Sequence, residues 1–380
     1  MRIMSAVLVG SAWLATMSTC SELSSQSVTP PRPKLSSFST TELIAYLGGD
    51  MEKSRPKKPQ PVALVDNKSN ADVVALNKLR LFRDQEIIDE LQSRTKSIFG
   101  DDDRKEVGNS IETLRSLANS VTAFIEADKI VPQDDGWSTI ETEPLTDWVK
   151  RQKSYPLCME ERFRTQPRAA FCSGVLLGTK LVLTAAHCVQ PDNGGENNAI
   201  RISDARIVFN FKDFQKPPVR VPSSDVYRGV GFIGRRHEGI FDWALILLDR
   251  DVVGHSPAPL APVTGPKESD PVLVIGHPLG LPEKVAGGGR VVRVGANSFL
   301  ATVDTFMGNS GSPIYSDEGK VVGMFISGDQ DFVQDRQRNC MRSRRWNDDG
   351  LKGEVCMRTT PFYDELVPLP PTPAIVGGQP

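Results

Sequence analysis

After its first twenty residues the sequence holds no apolar run near the roughly 18–20 residues that span a bilayer, so no transmembrane segment is expected once the start is removed. Charge of one sign is also lacking. The formal net charge is −2 and no basic stretch is interleaved with aromatics, which leaves no electrostatic case for nucleic acid as a partner. Histidine is scarce, with four scattered residues, and no Cys-x-x-Cys occurs among six cysteines. A zinc site is therefore not expected, and no metal or cofactor is implied.

What is present begins with an export signature. Met1 to Met17 carries one positive charge and then a short apolar core, which reads as a cleaved signal peptide over residues 1–20 rather than an anchor. Met17-Ser-Thr-Cys20 is comparable to a lipoprotein box, but threonine before the cysteine fits poorly where a small residue is expected. Simple cleavage near Cys20 is the stronger reading, giving a periplasmic or secreted protein. At 380 residues there is room for two domains.

Residues 21–136 read as an N-terminal extension. Residues 21–63 are rich in Ser, Thr, Pro and Lys, a composition that buries little apolar surface, with a short helix at Thr41–Leu47 ended by Gly48-Gly49. Two longer helices are predicted. The first, about Asp72 to Phe99, has Val73, Leu76, Leu79, Ile87 and Leu91 near one face; the second, about Ser110 to Asp128, spaces Ile111, Leu114, Leu117, Ala118, Val121 and Ile125 by three and four. Asn109 with Glu112 resembles a capping box, and Gly100-Asp-Asp-Asp103 a turn. Such a hairpin buries its apolar faces against one another or on the next domain; the sharper reading is a pro-segment or regulatory arm that contacts that domain and covers a cleft of it until removed.

From about 137 to 365 the texture changes to short β-type runs between Gly, Pro, Asn and Asp, which argues for a sandwich or barrel. Strands are predicted at Ser173–Leu177, Lys180–Thr184, Ile200–Phe211, Ala244–Leu248, Pro271–Ile275, Gly289–Val294, Leu300–Val303 and Lys320–Ile326. One run, Leu181-Val-Leu-Thr-Ala-Ala-His187-Cys188, ends in two small residues that leave room for an imidazole to face a cleft. Asp242 opens a second apolar strand, and Gly308-Asn309-Ser310-Gly311-Ser312-Pro313 sets a serine on a glycine-rich turn. No histidine follows Ser310, and position 312 is serine, so the order and elbow of an α/β-hydrolase are absent.

Phe171-Cys-Ser-Gly174, Thr184-Ala-Ala-His-Cys188, the Asp242 strand and Gly308–Pro313 together resemble the trypsin-like serine peptidases, over residues 156–328. The order His, Asp, Ser is that of the chymotrypsin type. The resemblance implies a mainly β fold of two antiparallel barrels with the site between them, preceded by the helical extension. It implies His187 as base, Asp242 as its orienting carboxylate, Ser310 as nucleophile, and the N–H groups of Gly308 and Ser310 as oxyanion donors. A protein or peptide is then the substrate, hydrolysed through an acyl-enzyme; the competing reading is a protease-like scaffold that has lost turnover. A Cys172–Cys188 disulfide would staple the strand before His187 to the turn that carries it. Cys340 and Cys356 bracket a polar, Arg-rich loop and would close it, with Cys158 unpaired or competing for one of them.

Asn309 departs from the digestive enzymes, where an aspartate pairs with the N-terminus freed by zymogen cleavage. Gly-Asn-Ser-Gly-Ser-Pro, with Asp304-Thr305 ahead of it, is instead similar to the bacterial V8-like, glutamyl-endopeptidase-like branch. Asp304 stands six residues before Ser310, the offset at which trypsin-like enzymes place the carboxylate that selects Lys or Arg, and is a candidate pocket residue; the same offset is common in the V8-like Asp-Thr pattern, where the aspartate need not line the pocket. Where glutamate-specific members place a histidine, the match here is Phe325, the second pocket candidate. His277 reads as a loop histidine near the second barrel's entrance, and Ile375-Val-Gly-Gly378 as part of a Pro/Gly tail over 366–380.

Overall fold

The computed structural model describes Pro33, Lys34, Ser37, Phe38, Lys78 and residues 98–366 without 197, 263, 329, 330 and 347–352; all but Pro33 fall in one unit, Lys34–Pro380. The expectations for the signal peptide with Cys20, for residues 41–63, for most of the first helix and for the tail lie outside the described residues.

Two antiparallel sheets carry the fold. The first runs in the order Val226–Tyr227, Ala205–Val208, Val121–Glu126, Cys172–Gly178, Leu181–Thr184, Phe241–Leu248, Gly229–Glu238, and curls into a half-barrel. The second runs Pro271–Gly276, Pro313–Ser316, Val321–Ser327, Glu354–Arg358, Ser298–Ala301, Lys284–Val294, Lys105–Glu106, and the pairing of Pro271–Gly276 with Lys284–Val294 closes six of its strands into a barrel. The predicted double-barrel class is the one observed. Each barrel fills its interior by alternation: Val175, Leu183, Phe124 and Leu245 in the first, Val274, Phe299, Ile314 and Phe325 in the second. Leu181–Thr184, held between Cys172–Gly178 and Phe241–Leu248 inside the first sheet, runs directly into the turn that carries His187.

The helix expected over Ser110–Asp128 is shorter. It spans Glu112–Ala118, its N-cap is Ile111 with no side-chain cap, and Asn109 sits in a 3-10 turn, so the capping box does not form. Val121–Glu126 is a strand bonded on both edges, to Ala205–Val208 and to Cys172–Val175. Val121 and Ile125 satisfy a helical repeat and a strand alternation equally. The β-branched and aromatic residues between them, and two free sheet edges to bond, decide for the strand. The first barrel thus begins ahead of the boundary expected near residue 136. Ile98–Phe99, expected as helix, is a two-residue strand parallel to Arg345–Trp346. The run Ile200–Phe211 is split by a 3-10 turn at Ile202–Asp204, where Ser203 donates its N–H to Asp192.

Two disulfides join Cys172 to Cys188 and Cys158 to Cys340, and Cys356 is a free thiol. The expected Cys340–Cys356 closure is therefore replaced. Cys356 is fully buried in the closed barrel, whereas Cys340 lies on the hairpin Phe332–Asp335/Cys340–Ser343, which leans on Leu157 and Cys158 through the Cys158 N–H to Met341 carbonyl bond of 2.9 Å. Cys158 and Cys340 are 182 positions apart, so their bridge restricts a long loop of the unfolded chain. Cys158→Ser is expected to lower unfolding free energy by about 2–5 kcal/mol. Denaturant melts of wild type and variant, with and without reductant, check this; equal midpoints would contradict it.

Candidate active site

His187 is carried by the 3-10 turn Ala186–Cys188, which follows the buried strand Leu181–Thr184. Arg235 fastens that turn, donating to the carbonyls of Ala186 and Val189 at 2.9 Å each. Asp242 grips the histidine at two points. Its Oδ1 accepts the His187 backbone N–H at 2.9 Å and its Oδ2 meets Nδ1 of the ring at 2.6 Å. With Nδ1 committed, Nε2 is the nitrogen left to exchange a proton. Burial raises the Asp242 carboxyl pKa, but the His187 charge and the hydrogen bonds from that residue outweigh it, so the net shift is downward and Asp242 is held ionised.

Ser310 lies on a turn that only glycine neighbours permit. Gly308 has φ +94° and Gly311 φ +87°. A Cβ at Gly308 would stand 2.5 Å from the His277 carbonyl oxygen, and one at Gly311 2.1 Å from that of Ser173. The Ser310 carbonyl accepts the Ser173 N–H at 2.8 Å, and Sγ of Cys188 lies 3.8 Å from the same oxygen. The serine turn and the histidine turn therefore meet around the Cys172–Cys188 bridge. Nitrogen and sulfur atoms of His187, Cys172 and Cys188 lie within 4.8 Å of one another, but both sulfurs are spent in the disulfide and offer no thiolate to a metal.

Two positioning features were not anticipated. Ser173 Oγ, fully buried, donates to the Gly308 carbonyl at 2.7 Å and accepts the His277 N–H at 2.9 Å. The turn His277–Gly280 packs behind Gly308, with the Leu279 N–H on the Met307 carbonyl at 2.5 Å. His277 itself is buried rather than at an entrance. Burial pushes its pKa down to about 3, against the hydrogen bond to the Leu281 carbonyl that would raise it, so it is neutral. Its place between Gly276 and Pro278-Leu279-Gly280 was the available signal.

The pocket candidates fall elsewhere. Phe325 is fully buried in the closed barrel's core and its backbone bonds Ser312 and Gly311, so it packs and does not line a cleft. Asp304, also buried, accepts the N–H of Phe99 at 2.8 Å and that of Asp103 at 3.1 Å. Asn309 is buried too, with its Oδ1 accepting from Ser312 Oγ at 3.2 Å.

Asp103 and Asp304 adjoin, and burial raises both carboxyl pKa values, to about 6 and about 7; Asp102 adds repulsion at Asp103 and Asp103 adds it at Asp304, while Arg104 opposes the rise at both and Lys105 at Asp103. The folded state thus holds protons more tightly than the unfolded chain. Stability from this source is complete below the ordinary carboxylate pKa of 3.8 and is lost as pH rises to about 7. The melting temperature of Asp103→Asn is expected to fall less than that of wild type across this window; parallel curves would contradict the account.

Residues 172–324 match the family model of the trypsin-like peptidase domain. No curated protein sequence matches. Among solved structures, a Glu endopeptidase is 17% identical, covering 71% of this chain and 97% of its own, with a TM-score of 0.41. The VesB protease of Vibrio cholerae is 14% identical, covering 71% and 67%, with a TM-score of 0.41. A serine endoprotease from Yersinia pestis is 13% identical, covering 66% of this chain and 63% of its own, with a TM-score of 0.36.

Proposed function

Residues 172–324 form a trypsin-like serine peptidase domain, and from that premise we propose that the protein is an exported endopeptidase acting through His187, Asp242 and Ser310. The Ser310 hydroxyl is a weak nucleophile until a base takes its proton as it attacks the scissile carbonyl. His187 Nε2 takes that proton and passes it to the leaving amine. Asp242 keeps the proton on Nδ1 and stabilises the ring once it is charged. The carbonyl oxygen becomes an oxyanion, met by the N–H groups of Gly308 and Ser310, and each such donor contributes about 2.7–4 kcal/mol to lowering the barrier. Water then repeats the sequence in place of the amine and releases the acyl group from Ser310.

The observation that carries this reading is the double grip of one Asp242 carboxylate on the His187 ring and backbone, at 2.6 and 2.9 Å. Two disulfides support export to an oxidising compartment, periplasmic or extracellular. The Gly308–Pro313 motif supports placement in the V8-like branch. Hydrolysis of casein or a peptide library by wild type and not by Ser310→Ala tests the reading; equal activity of the two would end it.

A further inference from the structure

Asn309 stands where digestive enzymes use an aspartate to receive a freed N-terminus, and its side chain bonds within its own turn, to Ser312. Something else must hold the loop from Asp304 to Ser310 in shape. The segment Ile98–Glu106 does so from within the chain. Ile98 is fully buried against Leu279, Leu281 and Phe306, and Ile98–Phe99 pairs with Arg345–Trp346. At its other end Lys105–Glu106 adds a strand beside Lys284–Val285 of the closed barrel. Between these anchors, the Phe99 and Asp103 N–H groups bind the two oxygens of Asp304 at 2.8 and 3.1 Å. The buried Arg104 guanidinium lies 4.3 Å over the Phe306 ring and is paired with Asp102 at 2.8 Å, while Arg162 donates to the carbonyls of Asp102 and Arg104. Both Asp304 and Phe306 belong to the loop that ends in Ser310.

We propose that Ile98–Glu106 is a built-in brace for this loop, that Asp304 is a positioning residue and not the selector of a basic side chain, and that the site therefore forms without freeing a new N-terminus. This rests on the peptidase reading above. A segment that plugged the cleft would have to be displaced; this one is a barrel strand and a core anchor at once. Removing the Asp304 carboxylate would leave the buried Phe99 N–H and the part-buried Asp103 N–H without their acceptor and release the loop that carries the oxyanion donors. A shift of about 1 Å there costs on the order of 10²-fold in rate.

The test uses the full chain and a biotinylated phosphonate. Wild type is expected to take up the label on Ser310 in a species whose intact mass still includes residues 98–106. Asp304→Ala is expected to lose on the order of 10²-fold in kcat for Lys, Glu and Leu substrates alike, with little change in KM; Asp304→Asn, which keeps one acceptor, should lose less. Label found only on species that begin after residue 106 would overturn the brace, whether or not Asp304→Ala folds. So would a loss confined to Lys and Arg substrates through KM, the mark of a selecting carboxylate. No label on any wild-type species would instead overturn the peptidase reading.

Discussion

Replacing Ser310 with alanine is expected to lower kcat for peptide hydrolysis by on the order of 10⁶-fold while the melting temperature changes little. The size follows from the division of labour. On the proposed mechanism, no acyl-enzyme forms without the hydroxyl and His187 has no proton to take, so the base and its carboxylate become idle together. The substitution removes one oxygen from a side chain that is 5% exposed and leaves the Ser310 backbone bond to Ser173 untouched, so folding is not at stake. A double variant Ser310→Ala/His187→Ala should be no worse than Ser310→Ala alone. Steady-state kinetics with circular dichroism as a folding control measure both statements. A loss below tenfold, or additive losses in the double variant, would mean that these groups do not act as a unit.

Truncation before residue 136 is expected to destroy the fold instead of releasing activity. A latent enzyme freed of a helical arm would gain turnover on losing residues 1–135. The arm, however, contains Val121–Glu126, which bonds two neighbours in the first sheet and buries five of its six residues. Removing it opens the sheet beside Cys172 and strips the partner of Phe171, whose N–H binds the Phe124 carbonyl at 2.9 Å. It also removes the brace on Asp304. Burial of single side chains such as Phe124 contributes about 3–5 kcal/mol each, comparable together to the whole stability of a domain at about 5–15 kcal/mol. The truncated chain should show no cooperative melt and no hydrolysis. Faster hydrolysis than the full chain would restore the arm as an inhibitor.

The chymotrypsin-type architecture was legible because its signatures are local. His187 follows its own strand directly, and Cys172 and Cys188 close a short segment, so neighbours in sequence are neighbours in space. The reading failed where a decision needed a distant partner. Over five residues, Val121 to Ile125, helix and strand periodicities coincide, and only the sheet edges offered by residues far along the chain distinguish them. Cys340 joins Cys158 across two loops whose approach no spacing encodes. Asp304 sits at an offset that suggests a pocket, yet its oxygens are taken by Phe99 and Asp103, two hundred residues earlier. Phe325 stands where glutamate-specific members place a histidine, yet its strand, Val321–Ser327, is buried along its whole length and the ring packs into the closed barrel's core.

The most direct measurement is mass spectrometric mapping of a phosphonate adduct on wild type and on His187→Ala. The account predicts a single modified peptide containing Ser310 in wild type, and labelling slowed by several orders of magnitude when the imidazole is gone. An adduct on any other serine, or equal labelling rates in the two proteins, would contradict it.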